Sequence, residues 1–208
     1  LRRVDAEGLR EIEPNVRGSG GFGRTYDLAD NRERRADWLK DVETVNAWAK
    51  SQPWCDPDRV VAFGADHGGY TALMALTRQP RLWRAGVDLY GVTDLKSFLR
   101  ATDPAIRSIY ITEFGDPDQD GALLDEWSPS RDIDKIVAPL FVFAGQNDRW
   151  MPRSESDAFV SALRQRKLTV EYMVAPNEGH SIDRRENQIE LMTRLARFLE
   201  ESLGLAPQ

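Results

Sequence analysis

The clearest chemical signal in this chain is the stretch VAFGADHGGY, residues 61–70, in which a short apolar run meets a glycine-rich turn. The pattern G-x-S-x-G places a nucleophilic serine on a sharp strand-to-helix turn. Here the third position of that pattern is Asp66. A carboxylate can attack an sp3 carbon and form an ester that an activated water then hydrolyses. Attack by Asp66 on a peptide carbonyl would require an anhydride and expulsion of an amine, which is uphill.

The composition argues against several other classes of function. The chain has 208 residues, 41% of them hydrophobic, which suits one domain with its own core. Its net charge is -6 and its arginines are interleaved with carboxylates, so we expect no nucleic-acid partner. No run of about 18 apolar residues is present, so we expect no membrane association. We expect a small soluble partner or substrate instead.

The cysteine and glycine patterns point to no cofactor. Cys55 is the only cysteine, which excludes an internal disulfide, and with two histidines it leaves too few ligands for a standard structural zinc site. The sequence has no G-x-x-x-x-G-K-[ST] phosphate-binding loop. We therefore expect neither a metal nor a nucleotide cofactor. The cysteine usage fits a reducing compartment, and we expect a cytoplasmic protein.

Alternating strands and helices must position the candidate residues. Apolar runs rich in β-favouring residues predict strands at 59–65, 85–91, 139–145 and 168–175. Helical periodicity predicts helices at 36–50, 68–79, 154–167 and 184–203. A serine is expected to cap the third of these helices, and Ile189, Met192, Leu195 and Leu199 are expected to share the buried face of the fourth. The alternation predicts an α/β fold with a doubly wound, mostly parallel sheet.

One segment interrupts this alternation. Residues 95–136 are rich in Asp, Pro and Gly, and we expect them to form a surface excursion between strands that roofs a site.

Six stretches in order resemble the prolyl oligopeptidase family of serine peptidases, which includes the acylaminoacyl peptidases. They are PNVRGSGGFGR (14–24), NAWAKSQPWCDPDRV (46–60), GADHGGY (64–70), RLWRAGVDLYGVTDL (81–95), WSPSRDIDKIVAPLFVFAGQNDRWMP (127–152) and PNEGHSIDRREN (176–187). Together they span nearly the whole chain. The resemblance implies an α/β-hydrolase catalytic domain that transfers an acyl group from a peptide or small acyl substrate to water.

The resemblance also implies a role for particular residues. Asp148 matches the triad acid and His180 the triad base, with Asp66 at the nucleophile position. The elbow glycines match Gly64, Gly68 and Gly69, and the backbone N–H of His67 matches one oxyanion donor, while its side chain is expected to form a wall of the site.

Substrate contacts are weaker candidates. Arg17 and Arg149 could bind a substrate carboxylate, although solvated arginines are the more ordinary interpretation. Tyr70 and Trp150 could contact a substrate, although aromatic residues at such positions are more often part of the core or the rim.

Two features depart from the family pattern. The first is Asp66 at the nucleophile position, which also has an electrostatic consequence. A histidine between two carboxylates has its charged form favoured, so the pKa of His180 should rise and its value as a general base should fall.

The second departure lies at the front of the chain. The family has a further strand between the one leading into NVRGSGGFG and the one leading into the elbow, and no such strand precedes residue 9. The stretch LREIE, residues 9–13, is also too charged for a strand buried on both faces. The chain starts with Leu1 instead of Met, so we expect residues 1–208 to form a single, N-terminally incomplete α/β-hydrolase domain with a gap in its sheet. The open edges would pair with the missing N-terminal segment or with another copy in a homo-oligomer; alternatively, the domain is degenerate and its first residues pair differently or with another chain.

Three hypotheses about function follow. The first is a peptidase-type hydrolase domain silenced by Asp66. The second is a non-catalytic module that binds a peptide or a partner in the retained pocket. The third is an active hydrolase of alkyl halides or epoxides with Asp66 as nucleophile, but His67 replaces the aromatic residue that dehalogenases use there, and no cap with paired tyrosines is visible.

Overall fold

The computed structural model describes residues 2–4 and 9–205. Its strands are β1 (Arg2–Val4), β2 (Leu9–Glu11), β3 (Val61–Ala65), β4 (Ala85–Leu89), β5 (Leu140–Gly145) and β6 (Val170–Ala175). Its α-helices are α1 (Arg24–Asp27), α2 (Arg35–Lys50), α3 (His67–Arg78), α4 (Leu95–Ala101), α5 (Pro104–Phe114), α6 (Gly121–Glu126), α7 (Arg153–Gln165) and α8 (Arg185–Leu203), with 3-10 turns at Arg32–Arg34 and Pro129–Lys135.

The main sheet has four parallel strands in the order β3-β4-β5-β6. Strands β4 and β5 lie in the middle and are buried along their whole length. Helices cover both faces of the sheet at these two strands, and this is why their sequences are nearly all apolar. The carboxyl ends of all four strands meet at one edge, where the loops of the candidate site are found.

Helices cover the sheet from both sides. Side chains of α3 and α7 pack on one face, against Ala62, Leu140 and Val142. Side chains of α8 pack on the other face, against Val87 and Phe141. The predicted α/β-hydrolase fold with a doubly wound parallel sheet is therefore confirmed.

The two helices predicted near the C-terminus differ from expectation in detail. Helix α7 begins at Arg153 after Pro152, with no side-chain cap, so the predicted serine cap is wrong: Ser154 already lies inside the helix. In α8, Ile189 and Met192 are 57% and 60% exposed, so their predicted place on the buried face is also wrong. The inward face is formed instead by Leu191, Leu195 and Phe198.

The segment 95–136 is more regular and more buried than a surface excursion. It forms α4, α5, α6 and a 3-10 turn, and its side chains Phe98, Leu99 and Leu124 enter a core cluster. Several of the Asp and Pro residues that suggested loops in fact lie where helices begin. Asp94 and Asp103 cap α4 and α5 by accepting hydrogen bonds from backbone N–H groups, and Pro104 occupies the first position of α5.

The N-terminal region forms a small sheet of its own. A short strand, β1, does precede residue 9, and it pairs antiparallel with β2 in a separate two-stranded sheet. The charged stretch that begins at Leu9 therefore stays out of the main sheet, as its composition suggested. Within the described residues β2 and β3 do not pair with each other, and β3 is an edge strand of the main sheet that pairs only with β4. Leu1 lies outside the described residues, as do residues 5–8 and 206–208.

None of the helices that the structure describes combines the length and apolar character needed to cross a bilayer.

Candidate active site

Asp66 occupies the turn between β3 and α3 in a strained conformation, with φ 55° and ψ -121°. This is a positive φ that non-glycine residues rarely adopt, and it projects the side chain out at the carboxyl end of the sheet. The backbone N–H of Asp66 donates to Leu89 O at 3.0 Å, which ties the turn to β4. The local geometry is that of a nucleophile elbow, and it presents the carboxylate of Asp66 at its tip.

Two of the three elbow glycines are required by close backbone contacts. A Cβ on Gly64 would lie 1.9 Å from Gly68 O, and one on Gly69 would lie 2.9 Å from Gly91 Cα. Gly68 does not share this requirement, because a Cβ there would meet no described atom within 4 Å outside its chain neighbours and the nearby backbone of its own helix. The expectation that all three glycines serve close approach is thus wrong for Gly68.

His180 and Asp148 are joined directly. His180 Nδ1 lies 2.9 Å from Asp148 Oδ2. Asp148 is buried just after β5, and its Oδ1 accepts the backbone N–H groups of Trp150 and Met151 at 2.8 and 2.9 Å. These bonds fix the carboxylate, so it can orient the imidazole and leave Nε2 facing the elbow.

The other ring nitrogen of His180 faces Asp66. The distance from Nε2 to Asp66 Oδ2 is 3.7 Å, too long for a hydrogen bond but short for an ion pair. Partial burial lowers the pKa of His180, yet the hydrogen bond to Asp148 and the charge of Asp66 more than offset this and raise it to about 9. The raised pKa predicted from the sequence is confirmed, and the imidazole is mostly protonated at neutral pH.

Two aromatic rings enclose the imidazole. Trp150 stacks on His180 with ring centroids 4.9 Å apart and planes at 26°, and Tyr90 packs against it at 4.9 Å and 59°. Trp150 therefore lies at the site, as the sequence suggested, and touches the histidine. The contact made by Tyr90 was not foreseen, although its position at the end of the predicted strand 85–91 was a signal.

The side chain of His67 lines a cleft next to the elbow and joins a charged cluster that sequence reasoning missed. Its Nε2 lies 3.0 Å from Glu113 Oε1, and Glu113 also pairs with Arg35 at 3.2 Å. Burial would raise the pKa of Glu113, but the contacts with His67 and Arg35 dominate and hold it at about 2. Asp30 lies 3.9 Å from Arg35, and burial raises its pKa despite that pairing.

This cluster suits an internal ion network better than a metal site. Ligand atoms of Asp30, His67 and Glu113 lie within 4.8 Å of one another, which is close enough to consider a cation. However, the guanidinium of Arg35 is almost fully buried between the two carboxylates. It already supplies the positive charge that a metal would bring, and a divalent ion beside it would be repelled.

The remaining substrate-contact candidates are not all placed as expected. Tyr70 is completely buried and its hydroxyl donates to Trp127 O at 2.8 Å, so the expectation that it contacts substrate is wrong: it is a core residue. Arg17 reaches the cleft, but its Nε donates to Asp41 Oδ2 at 2.9 Å, which occupies its guanidinium. Arg149 is exposed next to Asp148.

The cleft next to the elbow has a volume of about 530 Å³. Its lining includes Arg17, Asp30, His67, Tyr110 and Glu113. The backbone N–H of His67 begins α3 and so has no acceptor within the helix, which leaves it available to an oxygen bound at the elbow.

Elbow, buried acid and histidine follow one another along the chain in the order of the α/β-hydrolases. The family model described as the prolyl oligopeptidase family matches residues 4–206. The chain therefore belongs to the prolyl oligopeptidase family, as the resemblance had indicated.

Named relatives support the same assignment. Over 202 residues the chain is 33% identical to dipeptidyl aminopeptidase BIII of Pseudoxanthomonas mexicana, covering 95% of this chain and 29% of that protein. Over 205 residues it is 27% identical to the human acylamino-acid-releasing enzyme, covering 95% of this chain and 28% of the enzyme. The chain thus spans less than a third of the length of these relatives.

Solved structures show the same fold. A puromycin-hydrolysing peptidase of Mycobacterium tuberculosis matches with a TM-score of 0.88 and 26% identity, over 93% of this chain and 29% of that one. An acylaminoacyl peptidase of Pyrococcus horikoshii matches with a TM-score of 0.83 and 22% identity, over 91% and 32% of the two chains.

Proposed function

We propose that this chain is the catalytic-type domain of a prolyl-oligopeptidase-family protein in which Asp66 silences peptide hydrolysis. The observation that carries the proposal is the position of Asp66 Oδ2, 3.7 Å from Nε2 of a histidine whose pKa is about 9. The nucleophile position is filled by an anion, and the adjacent base is held in its charged form.

Both changes act against acyl transfer. A serine peptidase needs a hydroxyl that loses its proton to a neutral imidazole during attack. Asp66 has no such proton to give, and its attack on an amide would have to expel a poor leaving group from an anhydride. Protonated His180 cannot activate water either, which also counts against ester turnover at Asp66 in the manner of a dehalogenase.

The rest of the machinery has a defined role if a serine is restored. Asp148 would hold the imidazole through the 2.9 Å bond to Nδ1, and Nε2 would accept the serine proton. Without the negative charge of Asp66 beside it, His180 would titrate at a lower pH, so a larger share of the imidazole would be neutral and able to act as a base. The backbone N–H of His67 would donate to the developing oxyanion.

A second function is favoured by the retained cleft. Its volume of about 530 Å³ and its mixed lining are in the range of ligand-binding pockets. A domain that binds a peptide there without cleaving it would use the same surface. Tight peptide binding by the parent protein, unchanged in the Asp66→Asn variant, would support this function.

Hydrolysis assays on matched variants test the first proposal. The parent, Asp66→Ser and Asp66→Asn would be compared on a p-nitrophenyl ester and an N-acylated amino-acid p-nitroanilide, in the complete natural chain that carries residues 1–208. We expect substantial turnover only in the serine variant, with a hydrolysis rate at least ~100-fold above that of the other two proteins. Rapid peptide hydrolysis by the parent would refute the silencing. Lack of turnover in a folded serine variant would refute the claim that the remaining machinery is intact.

A further inference from the structure

Strand β4 carries a carboxyl group that the proposed mechanism does not use. Asp88 is completely buried, and its Oδ1 accepts the backbone N–H of Gly91 at 2.8 Å. Its Oδ2 is buried too and has no hydrogen-bond partner among the residues that the structure describes. Burial raises the pKa of Asp88 to about 7, offset only in part by the bond from Gly91. An unpaired carboxyl in such a place is costly, so a structural or functional reason for it is expected.

The bond from Gly91 fixes a strained turn. Tyr90 lies between Asp88 and Gly91 in the chain and has φ 49°, a conformation that is unfavourable for a bulky aromatic residue. Its own N–H donates to Phe143 O at 2.9 Å. The turn also packs against the elbow helix, because a Cβ on Gly91 would lie 2.5 Å from the carbonyl carbon of Gly69. Anchors on both sides thus hold Tyr90 in place.

The strained turn points the ring of Tyr90 at the candidate base. The centroid of the Tyr90 ring lies 4.9 Å from that of the His180 imidazole, and the two ring planes are tilted by 59°. Tyr90 is only half-buried and packs on Phe143 as well. The ring therefore limits both the orientation of the imidazole and the access of water to it.

We propose that Asp88 is a positioning residue for His180, acting through the Leu89–Gly91 turn that presses the Tyr90 ring against the imidazole. The importance of this role for catalysis rests on the proposed function, but the mechanical link does not. If the Asp88 carboxyl that accepts the Gly91 N–H is removed, the turn relaxes toward a less strained backbone and the Tyr90 ring moves away from the imidazole. Water then reaches His180. It relieves the burial that lowers the pKa of His180, but it also screens the attraction to Asp148 and Asp66; because these contacts together outweigh burial, the pKa falls toward its ordinary value.

An NMR titration of His180 tests this link. The variants are Asp88→Asn, which keeps an acceptor for Gly91 in nearly the same shape, Asp88→Ala, which removes it, Tyr90→Ala, and the double alanine variant. In Asp88→Asn the pKa of His180 should stay near the parent value. In each single alanine variant it should fall by about one unit. The double variant should fall no further than the larger single effect, since both changes interrupt one pathway.

Two results would overturn the proposal. One is an unchanged pKa of His180 in a folded Asp88→Ala variant, or in Tyr90→Ala, whose half-buried position makes it the safer variant to fold. The other is an additive shift in the double variant, which would mean that Asp88 and Tyr90 act separately. Near-ultraviolet circular dichroism would establish that each variant is folded. Because the titration needs no turnover, its outcome is independent of whether the domain is a silenced peptidase.

Discussion

His180 Nε2 and Asp66 Oδ2 lie 3.7 Å apart, close enough for strong attraction but too far for a hydrogen bond. On its other side the imidazole bonds a fully buried carboxylate. A histidine placed in this way between two acids is stabilised as a cation, and the arrangement resembles a charge network more than a base ready to accept a proton.

Asp66→Asn should lower the pKa of His180. The parent value is about 9, and removal of one of the two negative charges should reduce it by about one unit while leaving it above the ordinary value, because Asp148 remains. Histidine NMR titration measures this directly. Asp183→Asn is a matched control, since it removes an exposed carboxylate three residues from His180 in the chain. A parent pKa at or below 6.5 would disprove the charge network.

Asp148→Asn should lower both the pKa of His180 and the stability of the fold, whereas Asp66→Asn should lower only the pKa. It removes the charge 2.9 Å from His180, so the pKa of His180 should fall more than in Asp66→Asn. It also weakens the bonds that hold Trp150 and Met151, so the free energy of unfolding should drop by about 1–3 kcal/mol. Titration and chemical denaturation measure the two effects. Equal pKa shifts in the two variants would show that the short contact with Asp148 raises the pKa of His180 no more than the longer contact with Asp66 does.

Arg35→Met should destabilise the protein, because it leaves two carboxylates without their buried cation. Breaking a buried ion network costs about 3–5 kcal/mol. Glu113 has its pKa lowered to about 2 in the folded state, so its pairing contributes stability above about pH 4.5 that is lost as the pH falls toward 2. The deficit of the variant should therefore be largest near neutrality and shrink on acidification.

Denaturation of the parent and Arg35→Met between about pH 7 and pH 3 provides the measurement. Arg35→Lys serves as the control, since it keeps the charge. A deficit that does not change with pH would show that packing on Phe114, and not the charge, makes Arg35 important.

Asp88→Asn should change how stability depends on pH. The pKa of Asp88 is raised to about 7 by burial, so the folded state binds its proton more tightly than the unfolded chain does. Its contribution to stability is complete below about pH 4 and is lost as the pH rises through about 7. Relative to the parent, the asparagine variant should gain stability between about pH 4 and pH 8. Parallel stability profiles for the two proteins would contradict a buried, protonated Asp88.

The sequence was sufficient for the main sheet but not for every helix face. Strands β4 and β5 are buried on both sides, so their sequences are near-continuous apolar runs, interrupted in β4 only by Asp88, and such runs are typical of a parallel sheet. Helix α8 carries apolar residues on more than one side, and periodicity alone could not show that Leu191 faces the sheet while Met192 faces solvent. That choice is made by tertiary packing.

The candidate site shows a similar division. The elbow was visible locally, because its glycines and its strand-turn-helix pattern lie within ten residues. The partnership of His180 with Asp148 was expected only through the resemblance, since contacts between distant segments leave no periodic signal. The cluster formed by Arg35 and Glu113 could not be predicted, because it joins α2 to α5 and neither residue stands out among the many charged residues of the chain.

Labelling with a fluorophosphonate, followed by intact-protein mass spectrometry, tests the central claim most directly. The reagent reacts with a serine hydroxyl that a neutral histidine activates beside an oxyanion site. In the complete natural chain we expect no adduct on Asp66 in the parent, a single adduct on the introduced hydroxyl in Asp66→Ser, and none when His180→Ala is added. A folded Asp66→Ser variant that stays unlabelled would contradict the account, because substitution of the nucleophile would then not be what silences the site.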